Sequence, residues 1–174
     1  NERAALGLAT GIGVAEALQK LTLAAIQLKW PNDIFVDGKK LGGILIETPQ
    51  VAPQTPVIGI GLNINNSIQD HASRDVAASS ISLIDLIGKT SNLTDVLIGL
   101  LNQLDNFYKQ LNAKTADIPA HWNLRCMFND SKVDFVQGGM RYQATCHGVQ
   151  ADGALLLKID GEIRPFYSGS IVLP

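Results

Sequence analysis

The sequence predicts an α+β fold: a mixed β-sheet with helices packed against it, followed by a small antiparallel β-barrel. Three observations predict it. Residues 28–47, LKWPNDIFVDGKKLGGILIE, hold two runs of β-formers, Ile34-Phe35-Val36 and Ile44-Leu45-Ile46, on either side of Asp37-Gly38. Residues 94–111 space Val96, Leu97, Leu100, Leu101, Leu104, Phe107, Tyr108 and Leu111 along one face of a helix. From Asp130 onward, five short β-rich runs alternate with Gln137-Gly138-Gly139, Asp152-Gly153 and Asp160-Gly161. The change of texture puts a boundary near Phe128 to Lys132, with a core unit at 1–128 and a C-terminal unit at 129–174.

Composition narrows the function. The 174 residues are 46% hydrophobic and 17% charged, a globular balance with ample material for a core. The net charge of −2 and pI of about 5.9 supply no broad cationic surface, so no nucleic-acid contact is expected from this segment. A few local lysines can still hold a small anion. No apolar run approaches the roughly 20 residues that span a bilayer, so no membrane partner is expected, and the opening residues lack a signal-peptide pattern. Cys126 and Cys146 give neither a ligand cluster nor a disulfide framework, and a reduced, cytoplasmic setting is expected. Asn1 in place of Met suggests a segment of a longer protein.

In chain order, Glu2 to Leu21 reads as a helix crowded with small residues, including Gly7, Gly11 and Gly13. Glycine costs about 1 kcal/mol inside a helix relative to Ala, so close packing against a sheet is the expected reason. A dinucleotide-fingerprint reading of Gly11-Ile12-Gly13 fails, because Glu16 takes the third glycine position and no strand precedes it. Ala25 to Lys29 is a strand ended by Pro31, and the hairpin follows with its tight Asp37-Gly38 turn. Thr48 to Pro56 is a loop marked by Pro49, Pro53 and Pro56. Val57 to Ile64 is an apolar strand whose alternation puts Gly59, Gly61 and Asn63 on one face and Ile58, Ile60, Leu62 and Ile64 on the other.

Asn65 to Arg74 reads as surface loop, and Ser79 to Ile87 as strand or short helix. The helix over Thr94 to Leu111 is expected to be capped by Thr94-Asp95, and Ile118 to Leu124 adds a further helical turn. Strands then run over Val133 to Val136, Tyr142 to Val149, Ala154 to Ile159, Arg164 to Tyr167 and Ser170 to Leu173. Their edges are covered by closure into a barrel or by leaning on the core unit.

The hairpin concentrates the chemistry. Lys40 follows the turn by two residues and projects from strand backbone as a compact positive charge suited to phosphate or a polarised carbonyl oxygen. Gly42 and Gly43 leave the backbone beyond it open to a ligand. With Gly59, Gly61 and Asn63 they describe a flat floor carrying one ammonium and a few amides, suited to a heterocycle joined to an anionic group. The bland reading, solvated hairpin-tip lysines with glycines that relieve crowding, weighs equally for Lys40 on spacing alone, and is the favoured one for Lys39. Lys29 and Asp33 read as a surface salt bridge around a buried Trp30, and Asn32 as turn chemistry. His71, His121 and His147 have no metal spacing and are read as incidental.

Three blocks in order, Lys29-Trp30-Pro31-Asn32-Asp33, Lys40-Leu41-Gly42-Gly43-Ile44-Leu45 with Glu47, and Gly59-Ile60-Gly61-Leu62-Asn63, resemble the biotin protein ligases. Gly153 to Leu157 and Gly169 to Leu173 are similar to that family's C-terminal SH3-like β-barrel. The resemblance implies part of a class II synthetase-like ligase core. It also implies a two-step reaction, in which biotin attacks the α-phosphate of ATP and a carrier lysine then takes the biotinyl group. It gives Lys40 the carboxylate and acyl-phosphate oxygens, and Lys29, Asn32 and Asp33 the border of the ATP and adenylate site. Gly43, with Gly42 beside it, would lie against biotin, and Asn63 would read the adenine edge. Biotin, ATP and ATP-borne Mg²⁺ are the implied ligands. A biotin carboxyl carrier protein is the implied partner, and a homodimer through a sheet edge is compatible with it.

The family's Gly/Arg-rich loop lies upstream of these residues, so this segment alone is expected to be inactive. Two other readings stand beside the ligase: a lipoate-type acyl ligase of the same architecture, and a non-catalytic module that docks a carrier through the C-terminal unit.

Overall fold

The computed structural model describes residues 2–50, 52 and 55–173. Helix α1 (Glu2–Thr22) precedes a four-stranded antiparallel meander of β1 (Gln27–Lys29), β2 (Asp33–Val36), β3 (Lys39–Glu47) and β4 (Val57–Leu62), bonded in that order. Asp37 and Gly38 both take positive φ, 48° and 76°, as the expected two-residue hairpin turn requires. Of the expected 48–56 loop, positions 51, 53 and 54 lie outside the described residues.

The 65–89 stretch holds three short helices, α2 (Ile68–His71), α3 (Arg74–Ser79) and α4 (Leu83–Ile87). Each is only four to six residues long, too short to leave a helical stripe in the sequence. Helix α5 (Leu93–Asn112) follows, then α6 (Ile118–Asn123). The cap of α5 is Asn92, not Thr94-Asp95: Asn92 Oδ1 accepts from Thr94 N at 2.9 Å. Leu93 is already helical, so the short Asn amide is the group placed to reach the second free N–H.

Helix α1 lies on the face of the sheet that carries Leu28 and Ile44. A Cβ on Gly11 would come within 3.3 Å of Trp122 and 3.6 Å of Leu28, and one on Gly13 within 2.9 Å of Leu104. Close packing therefore accounts for both glycines, but Gly13 makes room for α5 rather than for the sheet. The opposite face of the sheet is bare: Leu45 is 58% exposed whereas its neighbour Ile44 is buried.

The C-terminal unit comprises β5 (Lys132–Gln137), β6 (Met140–Val149), β7 (Leu155–Ile159), β8 (Glu162–Phe166) and β9 (Ser170–Val172). These form one antiparallel sheet in the order β8-β7-β6-β5-β9. The expected closure into a barrel is not found among the described residues, where β8 and β9 stand at opposite edges. The terminal strand is three residues long and spends its pairing on β5. The sheet leans on the core unit instead. Trp30 Nε1 donates to Gly153 O at 3.2 Å, and the Trp30 and Phe135 rings lie 6.2 Å apart. Gly153, at φ 93°, presses so closely on the backbone of Ala4 and Ala5 that no side chain fits there. Buried side chains of both units merge in one apolar cluster, the main source of stability at roughly 1.5–3 kcal/mol per large buried side chain.

Candidate active site

The bare face of the first sheet is the floor of an open cleft of about 710 Å³. Strand pairing makes the floor flat. Gly43 faces Gly61 and Leu45 faces Gly59 across β3 and β4, and a Cβ added to Gly59 or Gly61 would approach nothing nearer than 3.7 Å. Leu45 is the side chain that rises from this floor.

Lys40 and Gly43, three residues apart, would point to opposite faces of a regular strand. The pairing of Ile34 with Gly42 and of Phe35 with Lys40 leaves Leu41 as an extra residue, a β-bulge. Leu41 turns into the core, and Lys40 comes round to the face of Gly43. A Cβ position on Gly43 is 3.6 Å from Lys40 Cε and 3.5 Å from Asp33 Oδ1. Gly42 serves the other side of the strand. There a Cβ would overlap the carbonyl oxygen of Gly61 and the side chain of Leu62, so β4 can approach because that residue is glycine.

Asp33 is ion-paired with two cations. Its Oδ1 is 2.5 Å from Lys40 Nζ and its Oδ2 is 3.6 Å from Lys29 Nζ. Lys29 is only 8% exposed at its side chain whereas Lys40 is 45% exposed. The Lys29–Asp33 pair is thus present but not at the surface, as the isolated-pair reading had it. Two ammoniums sharing one carboxylate leave a positive balance beside the floor, which favours an anionic ligand.

Asn32 does more than make a turn. Its Nδ2 donates to Ile44 O at 2.7 Å and its carbonyl accepts from Ile44 N at 2.9 Å, which ties the β1–β2 connection to β3. Asn63 is held at the end of β4: its N donates to Leu41 O at 3.0 Å, and its Nδ2 donates to Ile81 O at 3.2 Å. With Nδ2 so engaged, Oδ1 is the acceptor that Asn63 can offer a ligand.

The cleft brings together Asn32, Asp33, Lys40, Gly42, Gly43 and Asn63, and Lys29 alone of the singled-out residues is set back from it. It also includes Ser80, which sequence reasoning missed. Ser80 bridges to Lys40, and Ile81 N donates to Lys40 O at 3.0 Å. A contact between residues forty positions apart leaves no local signal. Lys39 is not the solvated tip charge expected of it: its Nζ donates to Ala77 O at 3.1 Å, tying α3 to the hairpin.

Among the short helices, Asp85 is the organising side chain. It accepts from Ser67 Oγ at 2.7 Å, Ile68 N at 3.1 Å, Ser82 N at 3.1 Å and Ser82 Oγ at 2.6 Å. Desolvation pushes its pKa up, but these hydrogen bonds outweigh it and hold the carboxyl at about 2. Among the histidines, His121 lies 3.3 Å from Glu16 and His147 lies 3.4 Å from Asp130. The side chain of His71 lies outside the described residues.

Residues 4–65 match the Biotin/lipoate A/B protein ligase family, and the fold is of that class. Within it, the chain is similar to biotin protein ligases. The bifunctional ligase/repressor BirA of Escherichia coli is 32% identical over 176 residues, covering 98% of this chain and 54% of that protein. The biotin–acetyl-CoA-carboxylase ligase of Mycobacterium tuberculosis is 29% identical over 171 residues, 96% of this chain and 61% of that protein. A biotin protein ligase from Aquifex aeolicus, in complex with biotin and ATP, superposes with a TM-score of 0.83 at 24% identity, over 97% of this chain and 70% of that one. The chain spans about half the length of the curated relatives it matches.

Proposed function

We propose that this chain furnishes the floor and one charged wall of a biotin protein ligase site, in a protein that makes biotinyl-adenylate and passes biotin to a carrier lysine. The observation that carries the reading is the single cleft in which the bulge sets Lys40 beside the glycine floor. In the first step a biotin carboxylate oxygen attacks the α-phosphorus of ATP, the bond to the bridging oxygen breaks, and pyrophosphate leaves. Lys40, aimed by Asp33, neutralises charge gathering on the carboxylate and phosphate oxygens. A fixed charge of this kind is worth about 3 kcal/mol in a transition state. In the second step the carrier's ε-amine attacks the acyl carbon and AMP departs. Lys29 holds Asp33, Asn32 fixes the strand connection, and Asn63 Oδ1 accepts from the adenine amino group. Biotin lies against Gly43, with Gly42 setting the strand spacing beneath it.

Magnesium would arrive on the nucleotide phosphates; among the described residues no group of three His, Cys, Asp or Glu side chains gathers to hold it. We place the unit boundary near residue 128 and read the C-terminal sheet as the SH3-like unit, with the carrier protein as substrate and a sheet edge as the surface for a second copy. Among the described residues no helix is long and apolar enough to cross a membrane; the cytoplasmic setting is proposed from the two cysteines, which form no disulfide framework in the sequence. The test is pyrophosphate exchange by a ligase carrying this chain, with biotin, lipoate and octanoate offered in turn. Exchange that needs biotin supports the reading, and exchange that needs lipoate or octanoate replaces it.

A further inference from the structure

The two faces of the C-terminal sheet differ in kind. Strands β5, β6 and β7 turn Val133, Phe135, Ala144 and Leu157 inward, where they are buried. The alternate residues Lys132, Asp134, Arg141, Gln143, Thr145 and Lys158 turn outward and line an open cleft of about 710 Å³. Its charge is lopsided. Of the four Lys and Arg residues between positions 129 and 174, three line this cleft, whereas of the five Asp and Glu residues only Asp134 does. Asp134 is already engaged, with its Oδ2 at 3.2 Å from Arg141 Nη2. Among the described residues, Lys132 and Lys158 have no acidic side chain within ion-pair distance.

Strand register sets the spacing of these cations. Thr145 pairs with Lys132 on one side and Lys158 on the other, so the two lysine backbones stand about 10 Å apart, two strand spacings. Arg141 lies on the same face of β6, four residues from Thr145 and about 13 Å along the strand. Phe128, Val172 and Leu173 add an apolar margin, and β9 places Val172 beside Asp134. Val172 and Leu173 are 38% and 39% exposed.

We propose that this face docks an acidic, extended segment of a partner protein, laid along β6 with two carboxylates four residues apart. One carboxylate sits over Thr145 between Lys132 and Lys158, and the other meets Arg141. An even separation puts both on one side of an extended chain. The residue midway between them lies over Gln143, whose amide offers a donor and an acceptor, while Asp134 disfavours a third carboxylate there. An apolar side chain at one end of the segment covers the apolar margin. Complementary charge orients the encounter more than it deepens affinity, and exposed charges are screened by salt. The assignment is independent of the ligase reading, whose cleft lies on the other sheet.

The test is an amide chemical-shift titration of the whole chain with a synthetic seven-residue peptide. It carries leucine first, glutamate third and seventh, and serine or glycine elsewhere; its reversed sequence is titrated alongside, because the direction along β6 is open. One of the two is expected to bind saturably, with shifts clustered on β5, β6 and β7, and to release as salt is raised. Reversing both lysines, Lys132→Glu with Lys158→Glu, is expected to weaken binding about tenfold, and replacing both by arginine to retain it. No saturable binding at millimolar peptide, shifts centred on Lys40, equal binding with glutamine in place of glutamate, or tighter binding of an oligodeoxynucleotide of equal charge would each overturn the proposal. The mapping uses the unaltered chain, so misfolding of a variant leaves it decisive.

Discussion

Asp33 Oδ1 lies 2.5 Å from Lys40 Nζ while its Oδ2 faces Lys29 Nζ, so one carboxylate aims an exposed cation and compensates a buried one. Asp33→Asn removes that compensation and leaves Lys29 enclosed without its counter-ion. The expected cost is about 3 kcal/mol, because removing one partner of a buried ion pair leaves the other charge uncompensated. An unchanged urea midpoint for Asp33→Asn would contradict the shared-carboxylate account.

Lys40 and Lys39 are neighbours with separate jobs. In a ligase carrying this chain, Lys40→Ala is expected to lower kcat/KM for pyrophosphate exchange by about 100-fold, in line with loss of one transition-state contact. Lys40 is half-exposed, so the melting temperature should hardly move. Lys39→Ala is expected to leave exchange within about threefold and to loosen α3, read as faster amide exchange around Ala77. Equal losses of activity in both variants would remove the distinction.

Gly42 and Gly43 separate packing from ligand access. Gly42→Ala drives a Cβ into β4 and is expected to cost about 1–3 kcal/mol, the range for overpacking. A Cβ at Gly43 meets only ordinary contacts, so Gly43→Ala should stay within about 0.5 kcal/mol of the parent, yet it raises the floor and should weaken biotin binding. Paired denaturation and biotin titrations read both effects.

Gly99 stands inside α5 with nothing within 4 Å of a Cβ position. Gly99→Ala should therefore stabilise the chain by about 1 kcal/mol, through helix propensity and a less flexible unfolded chain. The measurement is the thermal midpoint, which should rise.

Asp85 sets an acid limit. Its folded pKa of about 2 lies below the usual 3.8, so the folded state favours the carboxylate. That contribution is complete above about pH 4 and fades as the pH falls toward 2. Stability measured from pH 6 down to pH 2 should fall more steeply for the parent than for Asp85→Asn. Parallel curves would show that the four hydrogen bonds carry no linkage.

What was legible in the sequence was local. Asp37-Gly38 announces its turn because few residues tolerate positive φ, and the alternation in Val57 to Ile64 gives the bare floor directly. The three motif blocks carry the site residues, and the structure brings six of the seven into one cleft. Contacts between distant residues left no trace. Trp30 with Gly153, Lys39 with Ala77 and Ser80 with Lys40 all join positions separated by many residues. Short strands and glycine turns look alike in an open sheet and a closed barrel, so the sequence does not tell the two apart. The bulge at Leu41 was hidden as well, since Lys39-Lys40-Leu41-Gly42-Gly43 fits either register.

That bulge makes the hairpin a matter of parity. Were β3 to pair regularly with Leu41 retained, every side chain after Lys40 would exchange sides with respect to the lysine. Either the ammonium would face the helices, or Ile44 and Ile46 would face the water. The bulge thus decides which side of the strand is wet, and the pairing at this point is as constrained as the chemistry.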